Sequence, residues 1–116
     1  MAKVNGKYVP DYYTSKNNEG GFISGQLKDS LGVVPDLTGA TANFVMEKPG
    51  EGDPKIKQPC SIPTPLEARW RYDWQEGDRD ENGDFYGWVE VSFPDLRVVT
   101  FPNPDPIIVR VSDDGG

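Results

Sequence analysis

The densest chemical motif in the chain is a run of oxygen-bearing side chains spaced two apart. Asp78, Asp80, Asn82 and Asp84 alternate around Gly83, reproducing the first seven positions of a calcium-binding loop, with oxygen ligands at one, three and five and the tight-turn glycine at six. Position twelve, which in that loop is a bidentate Glu, is Val89, and strand-like rather than helical sequence follows. An Asp, Asn and Gly cluster is also what a hairpin loop needs to reach positive φ and to bond its own backbone. The segment therefore reads as a turn, and no metal ligand is assigned to it.

Other chemistries lack their parts. The 116 residues contain no histidine, which removes the commonest general base and zinc or iron ligand and excludes the usual nucleophile–histidine dyads and triads. The lone Cys60 cannot close an internal disulfide, has no histidine to activate it, and reads as structural. Gly20-Gly21 and Gly50-Glu-Gly52 have neither the spacing nor the Lys-Ser/Thr ending of a phosphate loop. A paired-acid glycosidase needs two carboxylates facing across a cleft, and a chain this short leaves little room for one beside its core. The expectation is a protein that is not an enzyme, with no catalytic, cofactor-binding or metal residues and no cofactor.

Charge narrows the partners. Nineteen acidic against twelve basic residues give a net charge of −7, which opposes phosphate backbones, so nucleic acid is not expected as a partner. Arg69, Arg71 and Arg79 are interleaved with Asp73, Glu76, Asp78 and Asp80 and read as a solvated strand face rather than a basic patch. No apolar run is long enough to cross a bilayer, and the N-terminus lacks the basic-then-apolar form of a signal peptide, so neither membrane association nor export is expected.

The elements that must position any site are strands. Ala68, Trp70, Tyr72 and Trp74 alternate with Arg69, Arg71, Asp73 and Gln75; Phe85, Gly87, Val89, Val91 and Phe93 repeat the pattern; and 107–111 supplies another apolar run. That two-residue period marks half-buried strands. Seven strands are predicted, over 21–27, 40–47, 55–61, 67–75, 84–93, 97–101 and 107–111, separated by Gly, Pro and Asp punctuation. Eleven prolines and thirteen glycines leave no window for a useful helix. The fold class predicted is an all-β, immunoglobulin-like antiparallel β-sandwich over residues 21–111. An extended N-terminal arm over 1–20, with a short edge strand at 7–9, precedes it, and a disordered tail over 112–116 follows. Its interior is expected to hold Phe22 or Ile23, Leu37, Phe44, Met46, Ile62, Trp70, Tyr72, Trp74, Phe85, Val89, Val91, Phe93, Phe101, Ile108 and Val111.

On this register Tyr86 and Trp88 face outward, and the arm carries Tyr8, Tyr12 and Tyr13. Tyrosine and tryptophan bring large contact area at low entropic cost, so these five residues are the candidate partner-binding set.

Four stretches together carry a resemblance: Asp36-Leu-Thr-Gly-Ala-Thr-Ala-Asn-Phe-Val-Met46, Arg71-Tyr-Asp-Trp-Gln-Glu-Gly-Asp78, Gly83-Asp-Phe-Tyr-Gly-Trp-Val-Glu-Val91, and Thr100-Phe-Pro102 leading into Ile107-Ile-Val-Arg-Val111. In this order, over residues 21–111, the chain resembles the immunoglobulin-like N-terminal domain of tailed-phage baseplate upper proteins and related short virion domains. It departs from the pattern at Leu96, where a turn glycine after Pro-Asp is usual. The larger baseplate proteins continue into coiled-coil and receptor-facing domains, whereas this sequence ends with Ser112-Asp-Asp-Gly-Gly116.

The resemblance implies a structural protein of a tailed bacteriophage virion, made in the host cytoplasm and attached to tail or baseplate components. Its partners would be other tail, baseplate or capsid proteins, or further copies of itself, since virion parts are built by symmetric repetition. A capsid decoration or head–tail completion protein is the alternative within that class. A carbohydrate-binding module, with Tyr86, Trp88 and Tyr72 stacking on sugar rings, is the alternative outside it.

Overall fold

Alternation along β8 (Gly83–Ser92) organises the molecule: Phe85, Gly87, Val89 and Val91 are buried while Tyr86, Trp88 and Glu90 between them are half-exposed. The computed structural model describes residues 2–4, 7–9, 11–15, 21–29, 31–50, 53–101 and 107–112. Among them are β1 (Ala2–Val4), β2 (Lys7–Val9), β3 (Tyr12–Ser15), β4 (Phe22–Gln26), β5 (Thr41–Glu47), β6 (Pro54–Thr64), β7 (Arg69–Asp73), β9 (Val98–Phe101) and β10 (Ile107–Ser112). The one helical element is a single 3-10 turn, Pro65–Glu67. The protein is all-β, as the period-two pattern predicts.

β1 and β2 form a separate antiparallel ribbon, and the other eight strands form one sheet in the order β3-β10-β8-β5-β6-β7-β4, with β9 on the edge of β8. Two expectations change here. The two separate layers predicted from sequence are joined, because β6 pairs with β5 through Pro54–Cys60 and then with β7 from Ser61 onward, across a register shift. Eleven residues with prolines at 59 and 63 bend from one part of the sheet into the other, the way corners form where a strand changes sheets.

The second change concerns the N-terminal arm. Tyr12–Ser15 pairs in parallel with β10, Val109 opposite Tyr12 and Val111 opposite Thr14, so the sheet includes residues on the N-terminal side of Gly21. Ser112, placed by sequence in the tail, is the last residue of β10; residues 113–116 lie outside the described residues.

The ends of the sheet path, β3 and β4, approach each other and give a nearly closed barrel. The Tyr12 hydroxyl donates to the Ser24 carbonyl at 2.7 Å, and the Arg79 guanidinium donates to Thr14 Oγ1 at 2.8 Å. Gly25 makes the first crossing feasible: a Cβ there would stand 2.9 Å from Tyr12 Oη and 3.1 Å from Trp70 Nε1, so any side chain would displace Tyr12.

Phe44 centres the core. Its ring stacks on Trp70 and Tyr72 with centroids 5.5 and 5.0 Å apart and meets Trp74 edge-on at 6.1 Å, geometries that add to simple burial. Ile23 rather than Phe22 is the buried residue of β4; Leu27, Ile56 and Val109 join the core beyond the residues expected, and Ile62 and Phe93 are half-buried against it.

Candidate functional site

The register sorts the candidate residues. Tyr86 stands between Ile108 of β10 and Glu47 of β5, and Trp88 stands opposite Val45 of β5. All lie on the face of the sheet turned away from Phe44, because Phe85, Val89, Phe44 and Val109 occupy the alternating inward positions. Tyr13 reaches the same face, beside Arg110, and is half exposed. Three of the five candidates thus share one surface, formed by β3, β10, β8 and β5.

That surface has an apolar middle and a charged rim. Val45 and Ile108 are only 3% and 4% exposed although they point outward, so they form a floor between the half-exposed Tyr86 and Trp88. At one margin Arg110 donates through both Nε and Nη2 to the Asp84 carboxylate at 2.7 and 3.0 Å. At the other, Lys57 faces Glu90 at 3.8 Å. The side chains with surface left to bury are Tyr13, Tyr86 and Trp88, and aromatic residues inside a polar rim are the usual anatomy of a protein interface.

The remaining two candidates separate from this group. Tyr12 points inward, half-buried against the core with its hydroxyl on Ser24, and burial followed by the charge of Asp11 raises its pKa. It holds the barrel together and is not available to a partner. Tyr8 is in β2, and its side chain lies outside the described residues.

The calcium-like motif is dispersed by its own bonds. Asp78 Oδ2 accepts the Tyr72 hydroxyl at 2.6 Å and the Gln75 amide at 2.7 Å, Asp80 pairs with Lys55, and Asp84 pairs with Arg110. Among the described residues no three Asp, Glu, Cys or His side chains gather where they could hold a metal.

Arg79, read from sequence as part of a solvated face, is 5% exposed and lies with its guanidinium 5.1 Å from the Trp74 ring centre. The other two arginines of that reading, Arg69 and Arg71, are exposed on β7 and pair with Glu67 and Asp73. Nothing local marks Arg79 as different from them; it is drawn inward because β3 offers Thr14 from the opposite side of the gap.

Two further features bear on chemistry. Burial pushes the Cys60 thiol up to about 11, which keeps it protonated and a poor nucleophile at neutral pH. A pocket of about 100 Å³ lies between Tyr12, Gly25, Trp70, Val89, Phe101 and Ile107. It is well below the roughly 300 Å³ at which small-molecule sites begin.

No family model matches this chain, and no curated protein matches it.

Proposed function

We propose that this chain is a non-enzymatic structural protein of a tailed bacteriophage virion, an immunoglobulin-like module that attaches to tail or baseplate components by surface complementarity. Strand order supports the immunoglobulin-like part. Such sandwiches group strands A, B, E and D in one sheet and C, F and G in the other. Assigning β4, β5, β6, β7, β8 and β10 to B, C, D, E, F and G gives neighbours G-F-C and D-E-B, which are the orders in this sheet.

The observation that carries the attachment is the face with Tyr13, Tyr86 and Trp88 around the floor of Val45 and Ile108. Aromatic side chains on a rigid four-strand surface lose little entropy when a partner covers them, and the charged rim selects orientation. The net charge of −7 keeps free subunits soluble before assembly.

Immunogold electron microscopy of tailed-phage particles, with antibody raised against the recombinant chain, tests the assignment. Label on the tail or its tip is the expected outcome. Label over the head would replace it with the decoration or head–tail completion reading, and unlabelled intact and disrupted particles would remove the virion reading.

The same aromatic face supports one reading of another class, a carbohydrate-binding module, because tyrosine and tryptophan rings stack on sugars. Tyr72 cannot take part in it, being 2% exposed within the core. Quenching of Trp88 fluorescence by cell-wall glycans, absent in Trp88→Phe, is the result that reading requires.

A further inference from the structure

The turn Phe93–Arg97 contains a residue that local physics does not ask for. Leu96 has φ 73° and is 92% exposed. The Leu96 amide donates to the Phe93 carbonyl and the Phe93 amide to the Arg97 carbonyl, at 3.0 and 2.9 Å. That is a tight hairpin turn whose left-handed position glycine or asparagine fills without strain. A leucine there is worse for the backbone and, pointing into solvent, worse for solubility. Strain held at an exposed position is a signature of function.

Leu96 has company. Leu31 is 86% exposed, and Val33, Leu66 and Val98 are each more than half exposed. All stand at the end of the barrel where β4 and β8 finish and β5, β7 and β9 begin. The loops touch: the Leu37 amide donates to the Pro65 carbonyl at 3.0 Å, and Gly39 packs against the Pro94 ring. One end of the molecule thus presents a group of apolar side chains on three adjoining segments, 31–40, 65–67 and 94–98.

We propose that this end is a self-association surface that joins two copies of the chain end to end. Its local charge is small: Asp95 pairs with Arg97 and Glu67 with Arg69, while Lys28 (+1) against Asp29 and Asp36 (−2), which accept amides of their own turns, leaves a net charge of −1. A strongly charged partner finds no complement here, whereas an identical apolar, charge-paired surface does. The opposite end carries Asp53, Glu76, Asp78, Asp80 and Glu81 in its loops, with Asp80 paired to Lys55 and Glu81 to Lys48, so apolar-to-apolar docking leaves these charged groups at the far ends of the dimer. A head-to-tail arrangement would bury leucine against acid. The exposed side chains supply several hundred Å² of apolar contact, on the scale of the roughly 800 Å² per partner of a standard interface. This inference is independent of the virion reading.

Sedimentation velocity over a concentration series tests it on the full chain. The wild type is expected to shift from monomer to dimer, more readily at high salt, where repulsion between two −7 chains is screened. Leu96→Gly and Leu96→Asn are expected to weaken dimerisation at least tenfold while keeping or raising the melting temperature. Leu31→Ser should weaken it with no change in melting. A wild type that stays monomeric throughout overturns the proposal and leaves the surface to a different protein. Dimerisation unchanged in Leu96→Gly but lost in Trp88→Ala overturns it in favour of the aromatic face. A fall in melting temperature in Leu96→Gly would show that the leucine serves the fold instead.

Discussion

At the end of the barrel formed by residues 74–82, Asp78 and Arg79 turn inward and are satisfied; at the end formed by 31–40, 65–67 and 94–98, Leu31, Val33, Leu66, Leu96 and Val98 turn outward. Trp74 caps the core at the first end, Arg79 lies over its ring and reaches β3, and Asp78 collects the Tyr72 hydroxyl and the Gln75 amide. Asp78 and Arg79 thus serve the fold. At the second end Asp29, Asp36 and Asp95 cap their own turns; Leu37 is in the core, whereas Leu31, Leu66 and Leu96 stand in solvent. The difference separates side chains that the fold uses from apolar side chains that it leaves exposed.

Removing the indole that caps the closed end breaks the contrast most severely. Trp74→Ala should lose about 3–5 kcal/mol, because it opens a cavity beside Phe44 and Tyr72 and leaves Arg79 without the ring it covers. Urea denaturation measures it. A loss under about 1 kcal/mol would mean that this end is not anchored as described.

Next in size is Asp78→Ala, expected to lose about 1–3 kcal/mol as a buried hydroxyl and an amide lose their acceptor. Asp78→Asn, which retains an acceptor oxygen, should lose less. Equal losses in the two variants would show that the negative charge, rather than the hydrogen bonds, holds the turn.

Alkaline titration sharpens the comparison without mutation. Burial first, and then the bond to Asp78, raise the pKa of Tyr72, and burial raises those of Tyr12 and Cys60. Between the ordinary pKa of each group and its raised folded value, the native state holds more protons than the unfolded chain, so stability falls as pH rises through that window. The stabilisation is fully present below the ordinary cysteine value near 9 and is lost progressively above it. Tyrosinate absorbance should show Tyr12 and Tyr72 of the five tyrosines ionising only as circular dichroism reports unfolding. Five independent titrations in folded protein would contradict their burial.

The smallest effects belong to the open end. Leu31→Ser and Leu66→Ser should each change stability by no more than about 0.5 kcal/mol, as expected for exposed positions without partners in the core. A larger loss in thermal melts would make these leucines part of the fold and erase the distinction between the ends.

Tyr86 and Trp88 could be placed on an outer face from sequence because Phe85, Val89 and Val91 between and beyond them establish which side is in. Tyr12 and Tyr13 could not be told apart, since two adjacent tyrosines in a polar stretch carry no period; the parallel partner β10 turns one inward and leaves the other out. Arg79 reads like Arg69 and Arg71 until Thr14 is brought beside it. The floor of Val45 and Ile108 was legible only in part: both are apolar, but their place beneath Tyr86 and Trp88 depends on which strands are neighbours.

The sequence by itself determined that the chain would be all-β and, within a few residues, where its strands from 22 to 112 would lie, because a two-residue hydrophobic period is a local property that any half-buried strand must show. It left β4 open between Phe22 and Ile23, and it put Ile108 in the interior, whereas Val109 and Val111 face the core and Ile108 lies on the opposite face. Only the tertiary structure decided that β3 runs parallel to β10, that β6 passes from β5 to β7, and that Tyr12 and Arg79 draw the sheet's two ends together. Those contacts join residues up to 97 positions apart, and what selects them is the closing of edges and the packing around Phe44, which no local pattern encodes.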